Sequence, residues 1–401
     1  MNRRQFVQSL GTGAVGAAIA SESAVIAGGQ SAFPPSMRAA IAAVVPTPIR
    51  IGSNENPYGP GPAALAAVSS TAGGANRYPG PAVQALIDAV ADKHGVPADH
   101  VLLSGGSGDI LRAVVRATTS PTKAIVAGSP SYESPVRTAE QMGSPVKAIP
   151  LTGDQRLDLE AMVAAATGAG LFYICNPNNP TGTAVTGAAV AGAIDAVLAA
   201  SPDTYVLADE AYFEYAGLPG FESATPLVKK YPQVVIARTF SKIHGMAGMR
   251  VGYAIAQPKT IEMLRAHHSS SGMSVMSLAA ATASLKDTGH LEKQVLLNRD
   301  VRAFTMDAFK RAGYTVAPSD ANFIFVDIKR DARGFQEACR KDGVNVGRAF
   351  PPMLNWARIS IGTRAEMELA VPVFMKVLST PPAATARFNP AVLDALPSEL
   401  T

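Results

Sequence analysis

Three polar segments of the sequence each follow a short apolar run and contain residue types that act on small molecules. They are Asn176–Gly182, Asp209–Tyr212 and Thr239–Arg250. A lysine amine forms a Schiff base with a carbonyl group, a carboxylate holds a heteroaromatic nitrogen protonated, and amide or phenol groups hydrogen-bond a ring oxygen. The residues that match these roles are Lys242, Asp209, Asn179 and Tyr212.

Each segment also has an ordinary structural explanation when it is taken alone. A single lysine in a glycine-rich loop is more often a solvated surface residue, and the other two segments are then only turns. In an open α/β sheet, however, ligands bind at the carboxyl ends of the strands. Because all three segments come directly after apolar runs, together they indicate one ligand site at such an edge.

The elements that must position this site are short apolar runs alternating with helical stretches. Runs that are apolar throughout predict strands buried on both faces, at Val101–Leu103, Ala124–Ala127, Leu171–Cys175, Tyr205–Ala208 and Val234–Ala237. Helices are predicted at Val83–Lys93, Asp109–Ala117, Ala184–Ala200 and Leu291–Arg311. Alternation of this kind predicts an α/β fold whose parallel sheet is covered on both sides. A second unit begins near Tyr314, with predicted strands Phe323–Val326 and Arg358–Ile361.

Composition excludes several classes of protein. The chain has 401 residues, 47% of them hydrophobic and 16% charged, which argues against a disordered or collagenous chain. Two cysteines, Cys175 and Cys339, are too few for a disulfide framework or a zinc site, and their spacing does not decide whether they pair. The net charge is +4, and no run of Lys and Arg is interleaved with aromatics. We therefore expect neither a metal site nor nucleic-acid binding.

The first residues resemble a twin-arginine export signal. Arg3 and Arg4 precede a Gly- and Ala-rich apolar stretch from Leu10 to Ala20, and small residues at 18–20 and 24–27 offer cleavage sites. An N-terminal helix of the folded domain is the alternative. The apolar stretch is too short for a stable membrane anchor. We expect a periplasmic or otherwise extracytoplasmic protein, or a cytoplasmic one if the signal is not used.

The chain from about Ile51 to Val377 resembles the fold-type I pyridoxal-phosphate enzymes, and among them the class I/II aminotransferases close to histidinol-phosphate aminotransferase. The resemblance rests on the three segments above and on further segments in the family order: Asn54–Gly59, Arg77–Pro79, Ser104–Asp109, Pro130–Tyr132 and Arg358–Thr363. It implies a three-layer, mainly parallel sheet in a large domain and a smaller α+β domain.

The N-terminal pattern and the family resemblance together divide the chain. The first predicts a signal peptide at 1–27, and an N-terminal arm and part of the small domain follow at 28–75. The large cofactor-binding domain follows at 76–290. Residues 291–380 hold a linking helix and the C-terminal small domain, and 381–401 form a tail.

The resemblance assigns most of the site to pyridoxal 5′-phosphate. Lys242 would hold the cofactor as a Schiff base and move a proton, and Asp209 would face its pyridinium nitrogen. Asn179 and Tyr212 would contact the ring oxygen, and Tyr132 would stack on the ring. The phosphate would lie among groups from three segments: Gly106, Ser107, Gly108, Thr239, Ser241 and Arg250. Tyr78 would reach the phosphate of a second subunit, which implies a homodimer.

The implied substrates are an amino acid or an amino-alcohol phosphate and a 2-oxo acid, exchanged by a ping-pong mechanism. Arg358 would take the substrate anion, with Tyr58, Asn179 and Arg348 as further substrate contacts. For Arg348, a solvated loop position is an equally good explanation.

Two residues depart from the family pattern, namely Asp109, where Glu is usual, and His244 in the lysine loop, which we expect to be a packed histidine. A decarboxylase or lyase of the same fold, a non-catalytic cofactor-binding protein and a nucleotide-binding protein using Ser104–Gly108 are the alternatives.

Overall fold

The computed structural model describes residues 48–268 and 272–380. The predicted export signal, most of the predicted arm and the C-terminal tail lie outside these residues. Within them, no helix combines the length and the apolar character needed to cross a membrane. The domain boundaries predicted after residues 75 and 290 remain predictions.

A seven-stranded sheet forms the centre of the described residues. Its strands are β2 (Val101–Ser104), β3 (Ile125–Ser129), β4 (Val146–Pro150), β5 (Leu171–Cys175), β6 (Tyr205–Asp209), β7 (Val234–Thr239) and β8 (Gly252–Ile255). Their spatial order is β2-β8-β7-β6-β5-β3-β4, and only β8 runs antiparallel to its neighbours. The predicted α/β class with a mainly parallel sheet is therefore confirmed.

Apolar side chains cover both faces of this sheet. Alternate residues of β5 point to opposite sides, so that Phe172 and Ile174 join one buried cluster while Leu171, Tyr173 and Cys175 join the other. The five predicted strands are confirmed within two residues. The sequence analysis missed β4, whose side chains are mostly exposed or half-buried, and the short β8.

Helices pack between and around the strands. In the part of the chain that the structure describes they are α1 (Pro62–Thr71), α2 (Gly80–His94), α3 (Ser107–Thr118), α4 (Ser134–Gln141), α5 (Leu159–Ala165), α6 (Gly187–Ala200), α7 (Thr225–Lys230), α8 (Pro258–Arg265), α9 (Val275–Lys286), α10 (Thr288–Arg311), α11 (Ala332–Lys341) and α12 (Arg364–Ser379). Helix α6 begins three residues later than predicted because the Thr186 hydroxyl caps it by accepting from the Ala189 amide. Helix α3 begins at Ser107, two residues earlier than predicted.

Two smaller sheets complete the fold. One joins β1 (Ile49–Ile51) in parallel to β11 (Val344–Val346), and the other has the order β12-β10-β9, with β9 at Thr315–Val316, β10 at Phe323–Asp327 and β12 at Trp356–Ser360. Arg358 was expected at the start of its strand, but it lies in the middle of β12. The strand ends at Ser360 because Thr363 and Glu366 form a capping box that starts α12.

Gly252 allows the start of α3 to approach the sheet. A Cβ at this position would lie 2.4 Å from the Ser107 backbone nitrogen and 2.7 Å from the Gly106 carbonyl carbon, and backbone atoms cannot rotate away. Replacing Gly252 with alanine should therefore lower the thermal unfolding midpoint, since overpacking typically costs about 1–3 kcal/mol. The measurement is thermal unfolding of the purified variants.

Gly192→Ala is the matched control. Gly192 lies within α6 and faces open space, so that alanine should stabilise the helix by about 0.5–1 kcal/mol. Equal midpoints for the two variants would contradict the close approach at Gly252.

Candidate active site

The carboxyl ends of β5, β6 and β7 bring the three predicted segments together. Asp209 is the last residue of β6, and its neighbours across the sheet are Cys175 of β5 and Ala237 of β7. Asn179 follows β5 by four residues and Lys242 follows β7 by three. The arrangement agrees with the sequence-based expectation of one site at the sheet edge.

Asp209 is a buried carboxylate with two hydrogen-bond donors. Its side chain accepts from the Tyr173 hydroxyl at 3.1 Å and from the Ala211 amide at 3.2 Å. Burial raises the pKa of Asp209 to about 6, and these hydrogen bonds oppose the rise. The carboxylate therefore remains mostly ionised at neutral pH, held in place for a cationic partner.

Lys242 directs its amine toward the segment that follows β1. The Nζ atom donates to the carbonyl oxygens of Asn54, at 3.1 Å, and Ser53, at 3.4 Å. It also lies 5.4 Å from the centre of the Tyr212 ring. Burial, followed by the positive charge of Arg358, lowers the pKa of Lys242 to about 8. A substantial fraction of the amine is therefore neutral near physiological pH, which is the form that attacks a carbonyl group.

Asn54 connects the lysine to the small sheets. Its side chain donates to the Tyr212 hydroxyl at 3.0 Å and accepts from the Ser360 hydroxyl at 2.9 Å. Its carbonyl oxygen accepts from Asn322 at 3.0 Å as well as from Lys242. The sequence analysis quoted Asn54 only as part of a motif. Its φ of 55°, seen only in the structure, is a left-handed conformation that asparagine tolerates better than most residues.

An uncapped helix N-terminus and an arginine meet at the end of β2. No side chain caps α3 at Gly106, where φ is 97° and an added Cβ would lie 2.6 Å from Nη2 of Arg250. The register aligns Ser104 of β2 with Gly252 of β8 and Gly252 with Thr239 of β7. The amides of the first helical turn, the positive end of the helix dipole and a guanidinium together favour an anion such as phosphate.

The hydroxyl groups of this region lie next to one another. The Thr239 hydroxyl donates to the Ser241 oxygen at 3.0 Å, and the Ser241 amide donates to Thr239 Oγ1 at 3.1 Å. Gly108 lies within the first turn of α3, rather than in the loop before it as expected.

Arg358 places a buried positive charge beside Asn179. Its Nη1 donates to Asn179 Oδ1 at 2.8 Å and its Nη2 to the Gly52 carbonyl oxygen at 2.7 Å, while the buried Nε has no hydrogen-bond partner. Burial lowers the pKa of Arg358 to about 10, which leaves it charged at neutral pH. Arg348 is joined to this region through Phe350, because both guanidinium carbons lie over that ring, at 4.3 Å for Arg348 and 4.6 Å for Arg358.

The predicted tyrosines occupy different environments. Tyr132 is half-buried, and burial followed by the charge of Asp209 raises its pKa, which is consistent with a position near that carboxylate. Tyr58 is 38% exposed, and its amide donates to Asn56 Oδ1 at 3.0 Å. Tyr78 is 98% exposed, so within one chain it is not enclosed by the site.

His244 packs away from solvent as expected. It is 4% exposed, and its Nδ1 lies 2.8 Å from the Ser284 hydroxyl oxygen. Burial lowers the pKa of His244 to about 3, so that the ring is neutral. The two cysteines are both free and buried, which settles the question of their pairing.

Comparison with known families agrees with this geometry. The family model described as aminotransferase class I and II matches residues 46–374. The chain belongs to this family. A histidinol-phosphate aminotransferase from Symbiobacterium thermophilum is 38% identical to this aminotransferase over 299 residues, which are 74% of this chain and 81% of the relative. An aromatic amino acid aminotransferase from Rhodococcus jostii is 39% identical over 325 residues, which are 80% and 88% of the two chains.

A solved structure extends the comparison to the fold. The histidinol-phosphate aminotransferase from Sinorhizobium meliloti in complex with pyridoxal-5′-phosphate has a TM-score of 0.77 and 28% identity, and the match covers 87% of this chain and 98% of that one. The protein is a pyridoxal-phosphate-dependent aminotransferase. The residues present fit that cofactor, because a reactive lysine, a buried carboxylate and an uncapped helix N-terminus beside Arg250 lie at one edge of the sheet.

Because the pKa of Lys242 is lowered, its amine in the cofactor-free aminotransferase should be acetylated at a lower pH than an ordinary lysine. Acetic anhydride reacts with the neutral amine, so the acetylation rate of Lys242 should reach half its maximum near pH 8, as the amine titrates at about 8. An ordinary exposed lysine titrates at about 10.4. Mass spectrometry of the Lys242 peptide across a pH series measures this midpoint.

The Arg358→Met variant tests whether the charge of Arg358 contributes to the lowered pKa of Lys242. Removing a nearby positive charge makes the ammonium form less costly, so the midpoint for Lys242 should move to higher pH. A midpoint near pH 10 in the unaltered protein would refute the lowered pKa.

Proposed function

We propose that Lys242 is the residue that binds the cofactor covalently and carries the proton in amino-group transfer. One observation carries the proposal: an amine whose pKa is lowered to about 8 follows β7, and the adjacent strand ends in the buried carboxylate of Asp209. The neutral amine can attack a carbonyl carbon, and the same nitrogen, once free, can accept and return a proton.

The carboxylate of Asp209 keeps a ring nitrogen protonated in this proposal. Pyridoxal phosphate, when bound, supplies an electron sink for the carbanion formed at the substrate Cα. Asp209 stays in place because the Tyr173 hydroxyl and the Ala211 amide hold it from the protein side. Asn179 and Tyr212 offer an amide and a phenol group to the ring oxygen, and Tyr132 offers an aromatic face.

The cofactor phosphate would bind where α3 begins. The amides of Ser107 and Gly108 belong to the first turn of the helix, and Arg250 adds a cation. The amide of Gly106, the last residue before the helix, donates to the Ser104 carbonyl oxygen at 2.8 Å and would have to give up that bond to join them. The hydroxyls of Thr239 and Ser241 can complete the contacts. We propose that Tyr78 of a second subunit contributes as well, since it is 98% exposed in one chain and a homodimer would cover it.

Arg358 would hold the anionic group of the substrate. It is 9% exposed, and its Nε carries a buried hydrogen that nothing in the described chain accepts. A planar guanidinium binds a carboxylate or a phosphate through two parallel hydrogen bonds. The donor is accordingly an amino acid or an amino-alcohol phosphate, with Tyr58 and Arg348 near the rest of the molecule.

The holoenzyme should convert aromatic amino acids, histidinol phosphate or both to the matching oxo compounds when a 2-oxo acid is supplied. Mass spectrometry of the products from a donor panel measures the transfer. Lys242→Ala should lower turnover by about 10²- to 10⁴-fold or more, because the proton carrier is lost. The control variant Lys229→Ala, at an exposed lysine on α7, should keep the turnover of the unaltered enzyme. Carbon dioxide in place of the oxo compound, or unchanged turnover in Lys242→Ala, would refute the proposal.

We also propose that the twin-arginine segment exports the folded, cofactor-loaded protein from the cytoplasm. Arg3 and Arg4 before a mild apolar stretch support it. Export in the folded state removes the need for free cofactor outside the cytoplasm.

Replacing both Arg3 and Arg4 with lysine should keep the protein in the cytoplasm with its N-terminus intact. Cell fractionation followed by N-terminal peptide mapping measures the outcome. Arg265→Lys, at an exposed position on α8, controls for an arginine change as such. A native protein found wholly in the cytoplasm with Met1 in place would rule out export.

A further inference from the structure

Glu133 forms an ion pair with Arg348, the arginine that shares the Phe350 ring with Arg358. Glu133 directly precedes α4, and its Oε1 lies 2.5 Å from Nη2 of Arg348. The same oxygen lies 3.3 Å from Nη2 of Arg137, one helical turn further along α4. Glu133 is therefore shared between an arginine of the site and an arginine on the surface.

The charge of Glu133 is felt at Arg358, the buried arginine of the site. Arg348 and Arg358 both contact the Phe350 ring, so the carboxylate that pairs with Arg348 lies in the same electrostatic environment as Arg358. Consistent with this, Arg348 lowers the pKa of Arg358 while Glu133 raises it. Of the two arginines on Phe350, Arg348 is paired with a carboxylate, whereas Arg358 bonds only to an amide oxygen and a backbone carbonyl oxygen in the described chain.

We infer that Glu133 determines substrate specificity by occupying Arg348, so that the enzyme prefers donors with an uncharged side chain over donors with a second, distal anion. The inference rests on the proposed function, in which Arg358 holds the first anion. A distal carboxylate must displace Glu133 from Arg348 and then lie beside its negative charge. An uncharged side chain meets no such competition. Arg137 can retain Glu133 when it is displaced, so that distal anions are disfavoured rather than excluded.

The test compares glutamate with phenylalanine as amino donors for the holoenzyme. Glu133→Gln keeps the shape of the side chain and removes its charge. The ratio of kcat/KM for glutamate to kcat/KM for phenylalanine should rise about 3- to 5-fold, as expected for one partly exposed ion pair. The change should come through the KM for glutamate, because the contact forms on binding. Glu140→Gln removes an equal charge from an exposed position of α4 and should leave the ratio within about twofold.

A double-mutant cycle separates this role from a structural one. In an Arg348→Ala background, Glu133→Gln should raise the ratio much less, since the group that it frees is absent and only the repulsion by Glu133 itself is removed. A ratio that stays within about twofold in Glu133→Gln, or that rises equally in the Arg348→Ala background, would overturn the inference.

Calorimetry with non-reacting ligands tests the inference independently of turnover. Binding of succinate relative to 3-phenylpropanoate should strengthen by the same factor in Glu133→Gln, and an unchanged relative affinity would again overturn the inference. Absence of transamination with every donor would instead count against the proposed function alone.

Discussion

The chemistry of the site depends on one carboxylate that is kept buried and ionised at the end of β6. A carboxylate without partners in an apolar interior would take up a proton, because desolvation penalises its charged form. Asp209 is 3% exposed, yet the Tyr173 hydroxyl and the Ala211 amide limit the rise of its pKa to about 6. The next residue, Glu210, is also buried, but it pairs with Arg238 at 2.7 Å. The strand therefore ends in two acidic side chains of which one has a cationic partner and the other faces the ligand site.

Asn54 makes the geometry around the lysine depend on more than one sheet. The residue follows β1, which pairs with β11, and it bonds to Ser360 of β12 as well as to Tyr212 and Lys242. A shift of the small sheets relative to the loop after β7 would break several of these hydrogen bonds at once. The amine of Lys242 is thus positioned by the described chain itself.

Electrostatics couple the charge of Arg358 to the reactivity of Lys242. Arg358 is the second-largest cause, after burial, of the lowered pKa of Lys242. An anion bound at Arg358 would offset part of that positive charge and favour the protonated amine. In the proposed function, the ion pair of Glu133 and Arg348 would bear on selectivity, while Lys242 would respond to the anion bound at Arg358.

The sequence by itself determined the fold class, five of the seven strands of the large sheet and the identity of the residues at the sheet edge. Runs such as Leu171–Cys175 are apolar throughout, and strands buried on both faces need this pattern. A strand end followed by Asp209 or Lys242 could likewise be read from the order of residues, because the carboxyl ends of parallel strands meet at one edge.

Only the tertiary structure decided the contacts that join distant segments. Asn54 and Ser360 are 306 residues apart, and Arg358 and Asn179 are 179 apart, so nothing local to either residue indicates the pairing. The same holds for Glu133, whose role depends on the loop that carries Arg348 folding back onto α4. Local pattern identifies an element and its ends, whereas the hydrogen bonds and ion pairs that set pKa values and selectivity form between elements that only folding brings together.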